Sequence, residues 1–365
     1  MAEAMKNGNL HSAKVAKKDE FYTQLSDIEK ELEHHKKHFK GKVVYLSCDD
    51  PRLSNFFHYF SCNFEKLGLK KLIATAYKSQ DRDLFSNNKF DQAIYLEYTG
   101  DKNENRVPDV EEIGVKPLKG DGDFRSEESI ELLKQSDIVV TNPPFSLFRE
   151  YISQLVNYDK KFLILGSVNT ITTKEVFRLI QQNKVWIGPS IKSGDREFGV
   201  PDDYPLNAAG FRVAADGKKY IRVKGVRWFT NFDHKERHED LVLYKNYMPE
   251  EYSSYDNYDA IEVSKTKDIP VDYDGLMGVP ITFIDKYNPA QFEIVGIAKT
   301  WYGLASKTYP RQIQIDKKGI RTEVSKLNDA PAIRLDAPPS NQTYYVVNGE
   351  YYVATYVRIL IRKLK

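Results

Sequence analysis

The spacing of apolar and polar positions changes rhythm twice along this chain. In DEFYTQLSDIEKELEHHKKHF the apolar residues Leu25, Ile28 and Leu32 recur at three- and four-residue spacing, which predicts a helix entered from Asp19 or Thr23. Short apolar runs then alternate with amphipathic segments. KVVYLSC predicts a buried strand, DDPRLSNFFHYFSCNFEKLG its turn and following helix, KKLIATAY a second strand, and YLEY a short strand near 95–98. SEESIELLKQS, SLFREYISQLVNY and TKEVFRLIQQN predict helices, with DIVVTN, KFLILGS and KVWIGPS as strands among them. Such alternation implies βαβ units and a mainly parallel sheet with helices on both faces. KYIRVKGVRWFTNF predicts a hairpin adding antiparallel strands to that sheet. Beyond about residue 235 the alternation ends. Tyrosines cluster in YSSYDNYDA, and strands dominate through YYVVNGEYYVATYVRILIRK. The expected division is a basic arm at 1–18, an α/β domain at 19–235 and a smaller β-rich region at 236–365.

Composition narrows this picture. The 365 residues are 41% apolar and 29% charged, as in a soluble globular protein, and no apolar run reaches the length of a membrane span. MAEAMKNGNLHSAKVAKK lacks the apolar core of a secretory signal. Cys48 and Cys62 show no metal-ligand spacing, which fits a reducing cytoplasm. The net charge of +2 is too small to indicate nucleic-acid binding, but its distribution is uneven. Lys6, Lys14, Lys17 and Lys18 face only Glu3 in the first 18 residues, and Lys299 to Lys326 holds seven Lys/Arg against Asp316 and Glu323. Blocks of this kind neutralise phosphates or form plain solvated faces. His34/His38 and His234/His238 stand four apart without a Cys or carboxylate at a telling offset, so they are expected as solvated helix faces, with no metal.

Three expected strand ends carry unusual residues: CDDP, GDGDF at 120–124, and TNPPF. In an open parallel sheet, ligands sit beyond the carboxyl ends of the strands where strand order reverses. Asn142-Pro143-Pro144 should end its strand abruptly, because proline lacks a backbone donor and biases its predecessor away from the helix. The same rigidity can fix two neutral acceptors, the Asn142 side-chain carbonyl and the Pro143 backbone carbonyl. That pair suits an exocyclic amine whose lone pair is delocalised into an aromatic ring. Accepting both N–H bonds draws the amine towards tetrahedral geometry, and Phe145 can stack on the ring.

These residues resemble a known family. DEFYTQ, DDPRLSNFF, LGLKKLIA, GDGDFRS, SDIVVTNPPFSLF, YDKKFLI, YDNYDAI and GVPITF are similar, in the same order, to segments of the EcoRI modification methyltransferase family. The likeness runs from about residue 15 to about 295 and fades across 297–345. It implies a Rossmann-like class I methyltransferase of the gamma group, with a mainly parallel seven-stranded sheet and a β-rich recognition region. The implied activity is transfer of a methyl group from S-adenosylmethionine to adenine N6 in duplex DNA, with the base flipped out of the helix. Protection within restriction–modification, at a GAATTC-like site as first guess, is the implied role. A cognate endonuclease acting on the same site without a stable complex would be the further partner. An RNA adenine or a protein glutamine amide is the alternative substrate for the same chemistry.

Residue by residue, the likeness assigns Asn142 and Pro143 to the N6 hydrogens, with Pro144 stiffening the turn and Phe145 stacking on the base. Phe21, Tyr22 and Thr23 would close over the methionine part of the donor. Cys48, Asp49, Asp50 and Tyr77 lie at the ends of the first two strands, where the donor's amino acid and ribose are held. No glycine stands in the first loop and no acid ends the second strand, so either Asp49 or Asp50 would hold the ribose. Asp123 would accept from the donor's adenine amine beside the Phe124 ring, and Phe198 is the second aromatic expected to face the flipped base.

Overall fold

A computed structural model describes residues 21–48, 51, 53–76, 93–105, 108, 112–201, 204 and 210–364. The basic arm, Asp49, Asp50 and Tyr77 lie outside them. The described chain forms two compact units. One comprises the residues up to Thr170 with Val185–His234; the other comprises Ile171–Lys184 with Lys235 onward.

The first unit is built on an eight-stranded sheet. Its middle is made of β2 (Val43–Leu46), β3 (Lys71–Ala76), β6 (Ile138–Thr141) and β7 (Lys161–Ser167), in the order β3-β2-β6-β7 and all parallel. The sequences VVYL and IVVT are buried at every position, as befits strands covered on both faces. Helices Asn55–Cys62, Glu127–Gln135 and Phe148–Asn157 accompany these strands. Ser54 and Ser126 cap the first two, accepting from Phe56 N and Ser129 N at 3.2 Å.

The expectation of a mainly parallel, seven-stranded sheet needs correction. The flanking strands β4 (Ile94–Tyr98), β5 (Gly114–Pro117), β12 (Val226–Thr230) and β8 (Trp186–Ile187) all join antiparallel. In β4, Ile94, Leu96 and Tyr98 are buried while Tyr95 and Glu97 are partly exposed, the alternation of a strand covered on one face only. The predicted hairpin is also absent. β11 (Lys219–Lys224) pairs with β9 (Asp195–Val200) in a separate four-stranded sheet, whereas β12 joins the large one. A single residue, Gly225 at φ 68°, turns the chain between them. One left-handed glycine makes a corner, whereas a tight hairpin loop needs two residues.

The first predicted helix begins later than expected, at Leu25, and ends at Leu32. Tyr22–Thr23 is instead a short strand, β1, antiparallel to β9 with Thr23 opposite Phe198. β10 (Arg212–Val213) completes that sheet. The histidine expectation changes as well. His234 is buried, with Nε2 3.1 Å from the Ile187 carbonyl, and His38 stacks on Phe232 at 4.7 Å. Burial lowers the His38 pKa. His35, which the spacing argument passed over, is fully buried 3.0 Å from the Glu31 carboxylate, whose other oxygen accepts from Ser190 N.

The second unit is β-rich. β13 (Ile261–Glu262), β14 (Met277–Pro280), β21 (Arg358–Lys363) and β15 (Phe292–Ile297) form one sheet. β17 (Arg321–Val324), β16 (Gln312–Ile315), β19 (Tyr344–Val347), β20 (Glu350–Ala354) and β18 (Ala332–Leu335) form another, antiparallel throughout and in that order. Tyr252, Tyr255 and Tyr258 are core residues here. Helix Lys174–Gln181 belongs to this unit. Phe177 meets Trp301 and Tyr302 edge-on, and the Gln181 amide donates to the carbonyls of Ile294 and Val295 at 3.1 Å. Arg358 grips Glu262 through Nε and a terminal nitrogen at 3.0 and 2.6 Å, and the Tyr255 hydroxyl donates to the same carboxylate. No described helix is long and apolar enough to cross a membrane.

Candidate active site

The chain leaves β2 for β3 on one side, while β6 lies on the other, so strand order reverses between β2 and β6. Loops leaving the carboxyl ends of those two strands diverge and leave a crevice. Ser47 and Cys48 follow β2; Asn142 to Phe145 follow β6. The helix preceding β6 must run against it, which brings its entry loop, 119–126, to the same end.

Side-chain contacts tie the three loops together. The Thr141 hydroxyl donates to the Ser47 carbonyl, and the Ser47 hydroxyl meets the Tyr151 hydroxyl. Tyr151 is buried, which pushes its phenol pKa well up and keeps it protonated. Its ring meets Phe124 edge-on at 5.0 Å, and the Phe124 carbonyl accepts from Gln154 at 3.0 Å. Gly120 N and Lys119 N donate to Glu128 at 2.8 and 3.1 Å, which pins the loop ahead of its helix.

Cys48 has φ 80°, in the left-handed region that favours glycine. A non-glycine residue there stores strain of order 1–3 kcal/mol. The first loop therefore has the backbone turn of a glycine without the glycine.

Asn142 is 5% exposed. Its Nδ2 donates to the Phe21 carbonyl at 2.6 Å, and its Oδ1 is buried with no hydrogen-bond partner among the described residues. Because a carbonyl can only accept, it fixes which end of the carboxamide faces it and turns Oδ1 the other way. A buried carbonyl oxygen left unpaired costs about 1–3 kcal/mol, so a donor brought to this atom would recover that cost. The Thr23 hydroxyl is likewise buried and unpartnered.

Phe145 packs against Phe21 at 5.8 Å and Phe198 at 6.4 Å, and Phe21 also meets Phe198 at 5.9 Å. Phe198, expected as a second aromatic facing the base, lies beside Phe145, with its ring 2% exposed and packed against these neighbours. Asp123 is held by Arg125, whose Nε and terminal nitrogen reach its two oxygens at 2.9 and 2.7 Å. That guanidinium keeps the Asp123 carboxyl below the usual carboxylate range and lies over the Phe124 ring at 5.2 Å. Among the described residues no group of three or more His, Cys, Asp or Glu is arranged to hold a metal ion.

The family model for the adenine-specific methyltransferase EcoRI matches residues 9–364. The chain belongs to the EcoRI adenine-specific methyltransferase family. It is 53% identical to the Type II methyltransferase M.EcoRI of Escherichia coli over 301 residues, which cover 82% of this chain and 92% of that protein. It is 40% identical over 293 residues to M.MgeORF184P of Mycoplasma genitalium, covering 79% and 85% of the two chains. It is 37% identical over 318 residues to M.MpnI of Mycoplasma pneumoniae, covering 85% and 93%. No solved structure matches the chain.

Two residues of this family member escaped the sequence reading. Asn55, first in its helix, donates from Nδ2 to the Thr23 carbonyl at 2.7 Å. With Asn142 on the Phe21 carbonyl, it pins both ends of the Phe21–Thr23 segment. The other is Tyr151, whose hydroxyl joins the β2 loop. Nothing in SNFF or REYIS distinguishes these side chains from ordinary helix residues. Asn55→Ala is expected to weaken donor binding about fivefold, the worth of one part-buried hydrogen bond of about 1 kcal/mol. Calorimetric titration with S-adenosylmethionine measures this, and unchanged affinity would show that the amide is dispensable.

Proposed function

We propose that this protein is a site-specific DNA adenine-N6 methyltransferase acting in restriction–modification, with S-adenosylmethionine as donor and the Rossmann-like site at the β2/β6 crevice as its catalytic centre. The buried, unpartnered Oδ1 of Asn142 carries the reading. A flipped adenine offers two amine hydrogens; Asn142 Oδ1 takes one and the Pro143 carbonyl the other. With both N–H bonds engaged, the amine is drawn towards tetrahedral geometry, and its lone pair leaves conjugation with the ring and becomes nucleophilic. Both acceptors are neutral, so the extra proton is released to water after transfer. The Phe145 ring supplies a face for the base, and Phe198 and Phe21 hold it from behind.

The residues that would meet the donor fit that molecule. Bound S-adenosylmethionine supplies an activated methyl group on a sulfonium. The ionised Asp123 can accept from its adenine amine, with Phe124 as an apolar neighbour. The unpartnered Thr23 hydroxyl suits its amino-acid end, and Asp49 or Asp50 its ribose. Holding donor and amine in line supplies roughly 7–11 kcal/mol of the barrier. The β-rich second unit is read as the target-recognition region.

The test is to incubate the protein with duplex DNA and donor and then sequence the modified bases. N6-methyladenine at one recurrent site is expected. Transfer to RNA or to a glutamine amide, with none to duplex DNA, would overturn the assignment.

A further inference from the structure

We propose that the β16–β17 hairpin of the second unit is a rigid finger that grips the phosphate backbone of duplex DNA; this rests on the function proposed above. β17 is an edge strand, and its residues Arg321, Thr322 and Glu323 are exposed. The turn joining it to β16 is pinned from inside. Asp316 accepts from the backbone N–H of Lys318 at 2.8 Å and of Ile320 at 2.9 Å, and Gly319 adopts φ 78°. A turn fixed in this way presents its side chains without a large ordering cost on binding.

What it presents is cationic. Lys317, Lys318 and Arg321 are exposed and make no ion pair with a described residue. The hairpin's acids are engaged: Asp316 in the turn and Glu323 with Arg311 at 3.4 Å. Lys317, Lys318 and Arg321 outnumber the single turn carboxylate, Asp316, and leave net positive charge for the phosphates of a duplex. Between them Ile320 is 59% exposed, an apolar side chain that the wall of a groove can cover.

Charge also protects an edge strand from pairing with another chain, but acids would serve that purpose equally. Charge reversal therefore separates the two roles. The full-length protein is titrated with a fluorescein-labelled duplex across a series of KCl concentrations. Lys317→Gln, Lys318→Gln and Arg321→Gln together are expected to make the plot of log affinity against log salt shallower by about 3, each phosphate contact contributing ~0.9. The three Glu replacements should weaken binding more than tenfold at low salt, whereas Lys317→Arg with Lys318→Arg keeps the native slope. Ile320→Ser should lower affinity at an unchanged slope. Native slope and affinity in the Gln and Glu variants would overturn the proposal. A wild-type protein that methylates no duplex DNA would instead overturn the functional reading beneath it.

Discussion

Asn142→Ala is expected to lower the single-turnover rate of methyl transfer about 10²–10³-fold, the usual effect of removing one preorganised polar group from a reacting centre. The loss falls on chemistry, so it persists at saturating donor and DNA. Asn142→Asp separates the two ends of the carboxamide. It keeps an acceptor oxygen, but it has no N–H for the Phe21 carbonyl, which accepts from Nδ2 at 2.6 Å. Two oxygens then oppose each other across that distance and the side chain must turn away. The Asp variant is therefore expected to be nearly as impaired as Ala, although it differs from Asn by one group. Rapid-quench measurement with a labelled methyl group decides this, and a full-rate Asn142→Ala enzyme would remove Asn142 from the mechanism.

Glu262→Ala is expected to destabilise the second unit by about 3–5 kcal/mol. The Arg358 guanidinium, 9% exposed, would lose the carboxylate that it reaches at 2.6 and 3.0 Å. The Tyr255 hydroxyl and the Ser264 hydroxyl lose an acceptor in the same step. A buried charge without its partner is the costly state; an apolar pair of similar volume is not. Glu262→Leu with Arg358→Met should accordingly recover most of the stability lost in the single variant. Urea unfolding followed by tryptophan fluorescence measures both. Equal stability of Glu262→Ala and the parent protein would show that the pair contributes nothing net.

The middle of the large sheet is legible because apolar runs such as VVYL and FLILG are too short for a buried helix and rich in β-branched or aromatic residues, as in strands covered on both faces. Helices Glu127–Gln135, Phe148–Asn157 and Lys174–Gln181 followed from their spacing in the same way. Periodicity tells which face of a strand is buried but not which strand lies beside it. That is why the antiparallel flanks and the corner at Gly225 were missed. The strand end at TNPPF is readable because the proline pair constrains the backbone locally. The Phe21 carbonyl was not readable, because a backbone atom 121 residues away leaves no mark on the sequence. His35 and Glu31 were missed for a related reason. A buried polar pair looks like a surface helix pair until the strand ends and loops that cover it are known.

The passage of the chain through its two units bears on inheritance. It leaves the first unit after Thr170, returns at Val185 and leaves again after His234. Residues 171–184 therefore travel with the first half of the gene but fold with the second. Recombination that swapped only the segment after residue 235 would import new β15 and Trp301–Tyr302 surfaces. Val176, Phe177 and Ile180 would stay matched to the old ones. On the proposed reading of the second unit, new target specificities would arise more readily by changing exposed loops than by trading tails, unless the exchange carries this helix as a second, separate cassette.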